Sequence, residues 1–232
     1  MQVTFRLRFF KARALVGAML FVFCSSVFAF SSVKTKKAKR QDGCFRPNPT
    51  IGETCEDGTI YIGRDSLNRK LVTAPGNCSH EPSGTHYTTP TEPFTPTCNG
   101  VTDASVAKAW GAYTFTTGLT GTTDGRTHTL NLALNYTTTR AAKYCYYNRY
   151  GGYSDWYLPA KGELNLFWTN RVAINANPTA GVNTGGSYYW SSTEYSATHA
   201  WVQKFNDGQQ FNGGNRDNTV AGNLVRCIRR HP

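Results

Sequence analysis

The sequence predicts an α+β domain in which small antiparallel sheets carry two flanking helices and disulfides staple the whole. Three observations carry this. Short runs of alternating apolar and polar residues, separated by turns rich in Gly, Asn, Asp and Pro, read as strands. Two stretches, 137–150 and 155–171, instead place apolar residues at helical spacing. Seven cysteines occur in 232 residues, and six of them follow an N-terminal segment that reads as an export signal. Aromatic residues make up 13% of the chain and charged residues only 17%. That balance suits a loop-rich extracellular fold and excludes disorder, because so many rings must find a core.

The chain opens with Arg6, Arg8, Lys11 and Arg13, followed by an apolar run from Ala14 to Phe23. This is a signal-peptide pattern, too short to span a bilayer. Val27 to Ala29 supplies a cleavage site, so residues 1–29 are expected to be removed and the mature chain to start at Phe30. Cleavage before Cys24 as a lipoprotein is disfavoured by the bulky Phe23. A retained, uncleaved anchor is the other alternative. Without the signal, 21 basic residues face 14 acidic ones, a net charge of +7.

Residues 30–43 read as a basic flexible linker. Lys34, Lys36, Lys37, Lys39 and Arg40 form one run, either a solvated tail or a tether to a polyanion. DNA is not an expected partner for an exported chain with no groove-reading motif. Residues 44–136 read as a cysteine-containing, β-rich part. "GTIYIG" and "AWGAYTF" alternate like strands, and "GLTGTTDGRTHT" reads as an extended turn. Cys44, Cys55, Cys78, Cys98, Cys145 and Cys227 allow 15 pairings, and zinc is disfavoured because no C-x-x-C pair exists.

Residues 137–232 form the core part. In the first helix, Ala142, Cys145 and Tyr146 share a face that ends at Arg149. The second starts after Pro159, with Glu163 placed to reach back as a capping acid and Leu164, Phe167 and Trp168 as its apolar stripe. The cap position, Ala160, lacks a side-chain oxygen, so half the capping box is missing. Then come "SYYWSS", "HAWVQKF", an Asp207-Gly208 hairpin turn, "QQF", a polar loop over 212–223, and "LVRCIRR" as one closing strand.

Four motifs in order, Asp155–Leu164 around "DWYLP", "YWSSTE" (189–194), Ala200-Trp201 with Phe205, and "VRCIR" (225–229), resemble the Lcl C-terminal domain family. That family takes its name from the end of a collagen-like bacterial adhesin. Tyr157 stands where the family usually has Arg, and Ala160 where it has Ser or Thr; the lost cap is worth about 1 kcal/mol. The resemblance implies a C-type-lectin-like fold with its chain ends close together. It also implies a Cys145–Cys227 bond, whose long loop stabilises by roughly 4 kcal/mol in the chain-entropy model. Cys44–Cys55 and Cys78–Cys98 are then paired locally.

Trp190, Trp201 and Trp168 are expected in the core, with Ser191 and Ser192 satisfying backbone groups. Glu194 and Asp155 are expected to pair with Arg226 or Arg229. His80, His86, His128, His199 and His231 sit in no catalytic context and read as surface or turn residues, so the chain is expected to be non-catalytic. No cofactor is expected. Calcium is a minor alternative, from the oxygen ligands Asn212, Asn215, Asp217 and Asn218.

The expected ligand surface is the polar last third: Tyr195, His199, Gln203, Gln209, Gln210, Phe211, Asn212, Asn215, Arg216 and Asn218. Aromatic anchors among adaptable hydrogen-bonders give it paratope-like chemistry. Polyanion contacts are expected from the basic linker together with Arg216, Arg229 and Arg230. The expected function is a bacterial, adhesin-like binding module, secreted, periplasmic or on the cell surface. Its partner would be a glycan, a sulfated polysaccharide or an envelope protein. The alternatives are a structural envelope component and, last, an enzyme.

Overall fold

A computed structural model describes residues 43–76, 78–79, 93, 95, 97–98, 107–111, 115–216 and 223–232. For 78–79, 97–98, 107–108 and 213–215 only the backbone is described. The signal segment and the basic linker lie outside these residues, as do His80, His86, Asp217 and Asn218. All described residues fall in one unit, Arg40–Pro232.

The described residues form three sheets. Strands β1 (Ile60–Arg64), β2 (Lys70–Thr73) and β10 (Ile228–Arg230) pair antiparallel in the order β1-β2-β10. Strands β3 (Cys78–Ser79) and β4 (Thr97–Cys98) form a short ribbon whose register sets Cys78 opposite Cys98. The main sheet has the order β5-β9-β6-β7-β8, built from β5 (Ala107–Lys108), β6 (Tyr188–Glu194), β7 (His199–Lys204), β8 (Gln210–Asn215) and β9 (Asn223–Leu224). Its pairs are antiparallel except β6 with β9, which run parallel.

The closing "LVRCIRR" is therefore not one strand. Leu224 ends β9 in the main sheet, and Ile228 begins β10 in the other. Between them Arg226 is buried and donates to Thr73 Oγ1 and to the carbonyls of Ala74 and Ala180. A buried cation that needs three acceptors pulls the chain out of sheet pairing at that point.

The aromatic run of β6 is explained by burial on both faces. Trp190 joins a core with Trp110, Leu132, Ala142, Cys145, Trp156, Ala200 and Val202. Tyr189, one residue earlier, points the other way into a second core with Ile60, Leu71, Leu164, Phe167, Phe205 and Ile228. A strand covered on both sides reads as a continuous large-residue run.

Four α-helices are described where two were expected. The extra α1 (Gly125–Asn135) begins inside the stretch 118–129 that the sequence presents as an extended turn. Leu130, Leu132 and Leu134 alternate like a strand, yet Leu130 and Leu134 are exposed. The buried stripe is Gly125, His128, Thr129, Leu132 and Ala133, at i, i+3, i+4, i+7 and i+8. Two of its members are polar because they hydrogen-bond inward: Thr129 Oγ1 accepts from Leu158 N at 2.9 Å, and Ser192 Oγ meets His128 Nδ1 at 3.3 Å. Asp124 caps the helix, accepting from Thr127 N.

Helices α2 (Arg140–Tyr147) and α3 (Lys161–Thr169) fall inside the expected ranges. Helix α2 buries Ala141, Ala142, Tyr144 and Cys145, leaving Tyr146 half-buried. The short α4 (Arg171–Asn175) follows α3 directly and buries Ile174. The missing half of the α3 capping box is replaced from a distance. Lys161 N donates to Thr193 Oγ1 at 2.9 Å and Gly162 N to Thr122 O at 2.8 Å, while Glu163 takes Ala160 N at 2.9 Å. The expected cost of Ala160 is thus offset by the tertiary fold.

Two disulfides are described, Cys44–Cys55 and Cys145–Cys227, both as expected. The second ties α2 to the residue just before β10. Phe45 and His231 meet with ring centroids 4.6 Å apart, so the two ends of the described domain are neighbours. The side chains of Cys78 and Cys98 lie outside the description. No helix among the described residues is long and apolar enough to cross a membrane.

Candidate functional site

The main sheet's second face is covered by α3, but only in part. Along β7, Ala200 and Val202 face the first core, so Trp201 and Gln203 face the side of α3. Gln203 lies beneath it, fully buried, donating from Nε2 to Asn165 Oδ1 at 2.8 Å and Gly208 O at 3.0 Å. Trp201 lies beside the first turn of α3 and is only half-buried. The expectation of a core position for Trp201 is corrected here, whereas Trp190 is fully buried. Val202 pairs with Trp190 and shares its face, so Trp201, the preceding residue of β7, faces the other side, which α3 covers only in part.

Lys161, the first residue of α3, lays its Nζ 3.1 Å from the centroid of the Trp201 ring. Tyr195, 49% exposed, meets the same indole edge-on at 5.4 Å and 86°. Gln210 Nε2 donates to Lys161 O at 3.0 Å, fixing β8 to the start of α3. The result is an L-shaped aromatic corner with one ammonium and an amide behind it. Burial draws the Lys161 ammonium below the ordinary lysine range. Such a corner can stack on a flat apolar ring and pair with one anion. Lys161 and Trp201 were both missed as site residues. The parity of Trp201 with Gln203, not with Ala200 and Val202, was the available signal.

The expected ligand residues scatter. Tyr195 and Gln210 join the corner. His199, the first residue of β7, is half-buried, its Nδ1 2.8 Å from Thr198 Oγ1. Gln209 and Asn212 are exposed on or beside β8. Phe211 points to the opposite face, against Tyr188 at 5.8 Å. Gln203 is buried, Asn215 is described by its backbone alone, and Asn218 lies outside the described residues.

Arg216 is the main departure. It is fully buried and pairs with Glu194 at 3.0 Å. Its NH1 donates to Phe115 O at 2.9 Å and Ala197 O at 3.1 Å, and its guanidinium lies 4.3 Å over Trp110. Glu194 also accepts from Thr117 N and Thr117 Oγ1. Glu194 therefore pairs with Arg216 and not with Arg226 or Arg229. Asp155 does pair with Arg229, at 2.9 Å, and Asp57 reaches the same guanidinium at 3.5 Å. Arg229 is nearly buried and stacks 3.5 Å over Tyr153, so it is no surface contact. Arg230 is half-buried and pairs with Asp124 at 2.6 Å.

Ser191 behaves as expected, its Oγ donating to Trp201 O at 2.9 Å. His128 and His231 do not; both are buried. Burial pushes the His128 imidazole below the ordinary histidine range, against the opposing pull of Asp124. An unfolded histidine titrates near pH 6.5, so the unfolded chain binds the proton first. The stability that neutral His128 contributes is complete above about pH 6.5. It is lost as pH falls toward the folded value, at up to about 1.4 kcal/mol per pH unit. Thermal melts at pH 7.5 and 5.5 are expected to differ more for the native chain than for His128→Asn. Equal differences would assign the acid sensitivity elsewhere.

The four sequence motifs now have a physical meaning, because they grip one another. Tyr157 N and O exchange hydrogen bonds with Ile228 at 2.8 and 3.0 Å, Ser192 N donates to Pro159 O at 2.8 Å, and Asp155 holds Arg229. Glu163, buried among Ala160 N, Gly125 N and the Tyr157 hydroxyl, has its carboxyl pushed up by burial. Tyr157, in the usual Arg position, thus gives Glu163 a neutral donor. The Lcl C-terminal domain family matches residues 96–229, more than half of the chain. The chain belongs to the Lcl C-terminal domain family. The matched range starts before residue 137, and so takes in α1 as well as the motif-bearing part. No curated protein matches the chain. Most of the motif residues that mark this Lcl C-terminal domain serve the fold; Trp201 alone among them reaches the surface corner.

Proposed function

We propose that this Lcl C-terminal domain protein is an exported, non-catalytic binding module, adhesin-like and C-type-lectin-like in fold. Its ligands are glycans, sulfated polysaccharides or a partner protein. The observation that carries the reading is the half-buried Trp201, which lies outside both cores beside Tyr195 and Lys161. The acids Asp155, Glu163 and Glu194 are each held by arginines or by backbone and hydroxyl donors, which favours binding over acid–base catalysis. Two disulfides fit an oxidising compartment. The lectin-like reading draws support from the neighbouring ends of the described domain and from β10 closing the sheet of β1 and β2.

Positive charge favours polyanions, and because Arg216 and Arg229 are occupied internally, the run of Lys34, Lys36, Lys37, Lys39 and Arg40 is the remaining cluster of cations proposed for such contacts. Chains 30–232 and 44–232 on immobilised heparin, eluted by a salt gradient, test this. Both are expected to be retained beyond about 0.15 M salt, the shorter one less. Retention of the longer chain alone would reduce the effect to the linker's charge.

A structural role is the second reading. Leu130 and Leu134 are exposed one turn apart on the outer side of α1. Stable assembly with an envelope partner, indifferent to glycan competitors, would favour it.

A further inference from the structure

We propose that the Lys161–Trp201–Tyr195 corner is a subsite for a carboxylated sugar ring, a uronic-acid residue of a polysaccharide. The inference rests on the binding-module reading and narrows it to one ligand chemistry at one place.

Several cations of the domain are already neutralised by acids. Arg216 pairs with Glu194, Arg229 with Asp155, Arg230 with Asp124, Arg69 with Asp65 and Lys204 with Asp207. Lys161 pairs with no carboxylate among the described residues, and burial alone perturbs its ammonium. Its Nζ lies against the face of Trp201. An ammonium partly stripped of water and resting on an indole is half of an ion pair, and a carboxylate completes it with a charge-assisted hydrogen bond.

The aromatic geometry sets the rest of the ligand. Trp201 offers a flat surface and Tyr195 a wall at 86° to it. A pyranose presents an apolar face of C–H groups that stacks on such a floor. A uronic acid carries its carboxylate directly on that ring, one bond from the stacked face, where a single cation can reach it. A neutral sugar must displace the ammonium from the indole and gives nothing back. A densely sulfated chain needs several cations, and this corner has one. Lys161 is therefore the specificity-determining residue and Trp201 the platform. The corner is held in place by Gln210 on the Lys161 carbonyl and by Thr193 on the Lys161 N–H, so little ordering is needed on binding.

Calorimetric titration of chain 44–232 tests the proposal with three probes: a short oligogalacturonate, the same oligomer with its carboxyls reduced to alcohols, and a sulfated glycan lacking uronate. The oligogalacturonate is expected to bind at least tenfold more tightly than its reduced form. Lys161→Gln is expected to remove that difference, and Trp201→Ala to weaken the uronate tenfold or more. Unchanged melting of Lys161→Gln keeps the result independent of folding. Equal binding of both oligomers, or an unaltered preference in Lys161→Gln, overturns the subsite. Binding of the sulfated glycan alone overturns it too, while leaving the wider glycan reading standing. Failure of all three probes removes both.

Discussion

Replacing Arg216 by methionine is expected to lower the stability of the domain by about 3–5 kcal/mol, the range for breaking a buried ion pair from one side. Both side chains of the pair are essentially without solvent contact, at 0% and 1% exposure. Without the guanidinium, Glu194 keeps only the Thr117 N–H and hydroxyl and remains a buried charge with no counter-charge. The carbonyls of Phe115 and Ala197 lose a donor at the same time, which loosens the turn that carries Tyr195. The double variant Arg216→Met with Glu194→Gln removes both charges and is expected to recover a large share of the loss. Urea midpoints for the two single variants and the double close a mutant cycle. Single variants that cost under about 1 kcal/mol would mean water reaches the pair.

Removing the Cys145–Cys227 bond as a double alanine variant is expected to cost roughly 4 kcal/mol, because it releases a loop with a sequence separation of 82. The Cys44–Cys55 bond closes a separation of 11, and its loss is expected to cost about 3 kcal/mol. The larger effect is also the more central one. Cys145 sits in α2 within the first core, and Cys227 sits where the chain leaves the main sheet for β10. Calorimetric melts under matched conditions separate the two. A Cys145→Ala, Cys227→Ala protein that melts with the native one would show that the crossover at Arg226 holds without the bond.

Much of this protein follows from local sequence. Pro159 and Glu163 mark the start of α3, Asp207-Gly208 marks a hairpin, and the four motifs mark the family. The Asp207-Gly208 turn is a clear instance: Gly208 has φ +82°, and a Cβ there would lie 2.1 Å from the Trp168 ring. Helix α1 escaped because propensity and pattern weigh what faces water as heavily as what faces the core. Its buried stripe contains His128 and Thr129, whose partners are Ser192 and Leu158, far away in sequence. Nothing local announces that those polar groups will be satisfied inside.

The same reason divides the site. The sequence by itself determined that aromatic rings, amides and cations would gather in the last third, that cysteines would staple an α+β fold, and which family the motifs resemble. Which of those groups face water was decided by tertiary structure. Arg216 looks like a loop cation until Glu194 is brought to it, and Trp201 looks like core until α3 is seen to end before covering it. Charge and polarity are properties of a residue, but exposure is a property of what packs over it, and that comes from segments distant in the chain.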